Sequence, residues 1–178
     1  MDIRASLLAD RSKANVLAIA NYIGDDQALF DHLVDLFLND KWRVGQRAVW
    51  VMSHAAQKRP HLVLAHLKAM LDKLEVPNIH DAVKRNVTKI LSEITIPEEH
   101  QGRALDICFG FLISMEEAIA IKVFSMQVVY NISQNEPDLL RELALVIEDQ
   151  MPYGSAGFKA RGKKILNAIR KKVPNYDA

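Results

Sequence analysis

Prolines punctuate this chain at nearly regular intervals. Pro60, Pro97, Pro137 and Pro174 are separated by 37, 40 and 37 residues, and Pro77 and Pro152 form a second set 75 residues apart. Proline has no N–H to give a helix interior and its ring collides with the preceding turn, so a proline recurring at a fixed period marks the edge of a repeated unit. The apolar pattern repeats at the same interval. Offsets 0, 4, 7, 8 and 11 hold Val44, Ala48, Val51, Met52 and Ala55, and again Val83, Val87, Ile90, Leu91 and Ile94. The third copy is Ile119, Val123, Met126, Gln127 and Tyr130, with Gln127 its polar exception; the fourth is Phe158, Gly162, Ile165, Leu166 and Ile169. Such offsets trace one face of an α-helix.

Each of these helices follows another amphipathic segment. Residues 25–38 carry Leu29, Leu33, Leu36 and Phe37, and residues 61–74 carry Leu64, Leu67, Leu71 and Leu74. Residues 98–113 carry Leu105, Phe109 and Leu112, and residues 138–150 carry Leu139, Leu143 and Val146. Ser114-Met115-Glu116-Glu117 reads as a capping box for a second helix, and Asn39, Asp40 and Asn78 as N-caps. A period of about 38 residues belongs to solenoids of helix pairs, in which no single pair can bury both its faces. The expected fold is therefore all-α, a right-handed α–α superhelix forming one domain over 1–178. Its four helix pairs would span 25–60, 61–97, 98–137 and 138–174. Residues 1–24, with Leu7, Leu8, Val16, Ile19, Ala20 and Ile23, would form an N-terminal helical cap over the first pair.

Composition narrows the function classes. Of the 178 residues 49% are apolar and 25% charged, the balance of a folded chain and not of a disordered one. The single cysteine, Cys108, excludes an internal disulfide framework and is expected to be a small buried residue in a reducing compartment. The start Met1-Asp2-Ile3-Arg4 does not read as a secretory signal, and no apolar stretch is long enough for a membrane span, so a cytoplasmic location and no membrane partner are expected. The six histidines include no pair three or four apart, so neither a metal nor a cofactor is expected. Residues 157–164 nearly spell a phosphate-binding loop, but Lys164 stands where Ser or Thr would hold magnesium, and the segment reads as the beginning of a helix.

The second helices, typified by Val44-Gly45-Gln46-Arg47-Ala48 running on to Met52, resemble HEAT and armadillo-type repeats, in which an apolar residue, a small one four later and an aliphatic four after that build the packing face. HEAT repeats favour Arg directly after the first apolar residue; here Gly45, Lys84, Ala120 and Lys159 stand in that slot, while Arg47, Asn86, Lys122 and Arg161 stand two further on. The stretch 148–158 is similar to the C-terminal region of small uncharacterised bacterial HEAT-like proteins.

Charge is segregated between the two kinds of helix. Residues 40–60, 78–95, 115–136 and 154–173 hold 16 Lys+Arg against 6 Asp+Glu, whereas the first helices sum to a net −9, within an overall charge of +1. A clustered basic face attracts anionic partners through its summed potential. The candidate binding residues on the second helices are Arg47, Trp50, His54, Arg85, Lys89, Lys122, Arg161 and Lys164. They point to a non-enzymatic scaffold or binding module, with a protein or peptide segment as the expected partner and a polyanion such as nucleic acid as the other. The alternative is a DNA-binding protein or glycosylase, since Trp42, Trp50 and the basic residues resemble in kind the groove of the HEAT-like alkylpurine DNA glycosylases. That resemblance implies an acidic catalytic residue, for which the sequence offers no clear position.

Overall fold

The computed structural model describes residues 1–173; Pro174, the last of the proline set, lies outside them. Those residues form ten α-helices and two short 3-10 segments, with no strand among them. The chain groups into two compact units, Met1–Thr95 and a second beginning at Ile96.

In the first unit α1 (Ile3–Ala9) and α2 (Lys13–Ile23) make one pair, so the expected cap is itself a helix pair. Next come α3 (Gln27–Asn39) and α4 (Trp42–Lys58). The segment expected to open the following pair starts as a 3-10 helix, Pro60–His66, and becomes α5 (Leu67–Leu74) only afterwards; α6 (Asp81–Glu93) completes it. Pro60 occupies the first position of its segment, where its missing N–H costs nothing. Helix α4 packs against both α2 and α6, so it buries two sides. Its core residues include Gly45, Ala48, Ser53, Ala55 and Ala56, small enough for helix axes to approach closely, with Val44, Val51 and Met52 between them. The buried Ser53 and Thr88 hydroxyls bond to carbonyls of their own helices, so neither enters the core unpaired.

The second unit contains α7 (Glu98–Ile113), α8 (Ile119–Ile132) with a 3-10 extension, α9 (Pro137–Gln150) and α10 (Ala156–Lys172). Helix α8 packs on α7 and α10, and α9 on α10. Cys108 is fully buried on α7, and that burial pushes its thiol pKa up to about 12, with the Ser125 hydroxyl of α8 acting slightly the other way. The stretch resembling a phosphate loop lies within the opening turns of α10, whose N-cap is Ser155.

Hydrogen bonds between successive repeats recur at the period of the prolines. Arg47 Nη1 donates to the Leu7 carbonyl (2.5 Å), Lys73 Nζ to that of Leu38 (3.2 Å) and Gln150 Nε2 to that of Leu112 (3.0 Å). All three acceptors lie in the last turn of a first helix, where carbonyls have no partner within the helix. The next repeat thus caps the one before it. Arg4 with Asp40 (2.6 Å) and His66 with Asp31 (2.6 Å) add side-chain ties at the same spacing.

Three sequence expectations need correction. Ser114 is the C-cap of α7 and Glu116 and Glu117 lie in the connecting turn, because α8 starts only at Ile119; the Ser114 hydroxyl accepts from the Glu116 N–H and caps no helix start. Asn39 ends α3, Asp40 is its C-cap, and Asn78 sits in a turn at φ +57°, while α4 and α6 take Lys41 and His80 as N-caps. The third apolar stripe is out of register by two residues. Ile119 is 51% exposed, and α8 buries Ile121, Ser125, Val128 and Val129 together with Met126, the one residue of the expected stripe that is buried.

Candidate functional site

A pocket of about 230 Å³ opens on the first unit where the α1–α2 turn meets α4 and the start of α6. Leu7, Val16 and Ile19 form its apolar floor, and Arg11, Arg47, Trp50 and Arg85 stand around it with Asn15, Gln46 and Asn86. The α1–α2 turn is held by its own polar residues. Asn15 Nδ2 donates to the Ser6 and Asp10 carbonyls (2.8 and 3.0 Å), and Ser12 caps α2 through the Asn15 N–H (3.1 Å). Asp10 accepts from the Ser12 hydroxyl and the Ser12 N–H, so its carboxyl stays below the ordinary carboxylate pKa, with Arg47 adding a smaller attraction. This fixed turn presents Arg11 at the rim.

Three arginines therefore surround the pocket against one carboxylate that is already hydrogen-bonded. Arg47 spends one N–H on Leu7, whereas Arg11 and Arg85 are exposed. A guanidinium presents its donors in a planar fork that suits carboxylate or phosphate. Trp50 is half-buried beside them, with its ring 6.4 Å from that of His54 one turn on.

Of the residues singled out from sequence, the structure brings Arg47, Trp50 and Arg85 into this one pocket. His54 and Lys89 lie one turn further along α4 and α6. Burial and, secondarily, the charges of Lys89 and Lys13 lower the His54 pKa, so its imidazole is neutral at pH 7. A His whose folded pKa is lowered contributes stability that is full above its ordinary value and declines as pH falls through the lowered one. An NMR titration of His54 should accordingly give a midpoint below 6.5, and His54→Gln should remove a loss of stability that the wild type shows on acidification below that value.

The other three candidates belong to the second unit. The slipped register aligns Lys122 with Arg47, but the equivalent position is held by Phe124. Lys122 Nζ instead donates to Gln150 Oε1 (2.6 Å), and burial lowers its pKa. Arg161 Nη1 donates to Gln127 Oε1 (2.5 Å), which gives the polar exception of the third stripe a partner across α8 and α10. Lys164 is exposed on α10. Sequence reasoning missed Arg11, Asn15 and Gln46. Gln46 stands one turn before Trp50 on the same face of α4 and could have been included, but Arg11 and Asn15 depend on how the α1–α2 turn folds back.

Antiparallel helix pairs tied together at a 34- to 40-residue interval define an α-helical repeat protein. The family model described as a HEAT repeat domain matches residues 3–169, and the chain belongs to the HEAT-repeat family. The crystal structure of an engineered protein is similar to it at a TM-score of 0.62 and 12% identity, covering 96% of this chain and 80% of that one, a likeness of fold alone. No curated protein matches. Among the described residues no helix is long and apolar enough to cross a membrane.

Proposed function

We propose that this protein is a binding module whose first unit captures an acidic segment of a partner protein in the Arg11–Arg47–Arg85 pocket. The observation that carries the reading is that three arginines and a half-buried tryptophan line one concavity whose lone carboxylate already has its own donors. A carboxylate side chain entering there meets charge-assisted donors, which bond more strongly than neutral ones. Trp50 offers the rigid apolar contact typical of binding hot spots. A pocket of about 230 Å³ suits one side chain better than a folded surface, which favours an extended segment.

Arg85 is the residue to test, because it is exposed and its removal leaves the Arg47–Leu7 bond intact. Arg85→Glu should weaken binding of a Glu-rich peptide by at least about tenfold, the range of a hot-spot loss, with an unchanged circular-dichroism spectrum and melting temperature. Unaltered affinity would reject the site.

One observation supports the nucleic-acid reading: α10 carries Lys163, Lys164, Arg170, Lys171 and Lys172 exposed. Retention on immobilised DNA, lost steeply with salt, would move the partner class to nucleic acid. Enzymatic release of methylated bases would be required before Asp10, the one carboxylate at the pocket, is given a catalytic part.

A further inference from the structure

Beside the arginine pocket lies a second concavity of about 330 Å³, between the α3–α4 turn and the α5–α6 connection. Trp42 is 65% exposed there and Val76 46%, with Pro77 and Ile79 alongside. Three of its polar groups are already engaged. Asp40 pairs with Arg4, Lys73 bonds the Leu38 carbonyl and lies over the Phe37 ring, and His80 Nδ1 accepts from the Ala82 N–H. What remains open is an apolar surface headed by an indole that is 65% exposed although the Arg43 guanidinium lies over its ring, 5.4 Å from the centroid. Trp42, Val76, Pro77 and Ile79 line the same concavity, and contiguous exposed apolar surface of this kind marks interaction sites.

The two concavities share a wall. Gln46 lines both, and Trp42, Gln46 and Trp50 follow one another at i, i+4 and i+8 on α4. Successive residues of a helix rise 1.5 Å, so Trp42 and Trp50 are about 12 Å apart along the axis. An extended chain covers that distance in three to four residues, at about 3.3–3.6 Å each.

We propose that the two concavities are halves of one cleft that reads an extended peptide bearing an acidic side chain and, three or four residues away, a bulky apolar one. The acidic residue sits among Arg11, Arg47 and Arg85, the apolar residue against Trp42, Val76 and Ile79, and the intervening backbone crosses Gln46, whose amide has both a donor and an acceptor for it. The inference rests on the binding function proposed above and adds the sequence signature of the partner. Charge complementarity places the acidic end, and continuity through Gln46 places the other.

The test uses fluorescein-labelled Gly/Ser dodecapeptides containing a Glu pair and one Phe, separated by one, three, four or seven residues, with a Phe-free control, measured by anisotropy against the full chain. The three- and four-residue spacings should bind at least about fivefold tighter than the rest. Trp42→Ala should reduce them to the Phe-free level, and Trp42→Phe should restore most of the difference. Because Trp42 is exposed, an unchanged melting temperature for both variants is expected and separates a binding effect from misfolding. Arg85→Glu should weaken every peptide alike. Equal affinity at all spacings, or a preference that survives Trp42→Ala, overturns the two-part cleft; if Arg85→Glu still abolishes binding, the arginine pocket stands without it. No effect of Arg85→Glu, or no binding by any peptide, overturns both.

Discussion

Replacing Ile121 by Asp should unfold the second unit, whereas the same change at Ile119, two residues earlier, should cost less than about 0.5 kcal/mol, as ordinary surface substitutions do. Ile121 has no exposed surface and Ile119 is 51% exposed. At Ile121 the variant loses a buried aliphatic side chain and leaves a cavity, together about 2–5 kcal/mol. It also places a carboxylate among apolar groups without a partner, which adds several kcal/mol more. Stabilities of single domains are about 5–15 kcal/mol, so the sum is enough to melt a unit of this size. The pH dependence follows from the sign of the shift. Burial raises the folded-state pKa of the introduced Asp, so the folded variant is least penalised below the ordinary carboxylate value of about 3.9 and loses stability as pH rises through the raised one. Urea unfolding followed by circular dichroism at pH 4 and pH 7 would show it. Greater damage at Ile119 than at Ile121 would mean that α8 packs in the other register, and equal stability of the two variants would overturn the burial difference between them.

That register is where the sequence was hardest to read, for a physical reason. Helices α4, α6 and α10 carry charged residues on their open sides, so only one phase of the apolar pattern fits. Helix α8 has one charged residue, Lys122, and nearly every other position is apolar, which makes two phases almost equally good. The correct phase also requires Ser125 in the core, against Cys108, and a reading guided by hydrophobicity avoids a serine there. With Ile121 as its first residue, the stripe recurs at 39, 38 and 37 residues from Val44 to Phe158, more regular than the slipped one. The all-helical repeat architecture was legible because it rests on many such positions, and one slipped helix does not disturb it. The arginine pocket was legible only in part. Arg47, Trp50 and Arg85 follow from helical phase, while Arg11 is brought there by the Asp10–Ser12 and Asn15 hydrogen bonds, and no periodicity encodes that turn. The exposure of Trp42 was equally hidden, since an aromatic at the first turn of a helix is usually drawn into the core.

Gly45→Val should destabilise the first unit by about 3 kcal/mol, the upper end of what overpacking costs. Glycine is a poor helix former, and at an unconstrained site its replacement by Ala gains about 1 kcal/mol. Gly102 and Gly110 on α7 are such sites, with nothing within 4 Å of the place an added methyl would take, and each Ala variant should raise stability by up to that amount. At Gly45 the same methyl would stand 2.9 Å from the Phe37 carbonyl oxygen. That oxygen is backbone in the last turn of α3, so it cannot swing aside as a flexible side chain could. Phe37 itself is 2% exposed, which anchors the turn from the inside. Relief therefore requires α3 and α4 to separate, opening the interface around Leu36 and Val44. Gly45→Ala should lose its propensity gain to this contact, and the branched Val, with two further methyls beside the same carbonyl, should lose much more. For a domain of 60–100 residues 1 kcal/mol corresponds to about 4–8 °C, so thermal melts should place the Val variant at least about 12 °C below wild type. Gly45 also borders the Trp42 concavity, so the Ala variant, still folded, should bind the spaced Glu–Phe peptides less tightly if α4 has moved away from α3. A Gly45→Ala protein that is stabilised as much as Gly102→Ala would show that the two helices do not approach as closely as the capped α3 terminus requires.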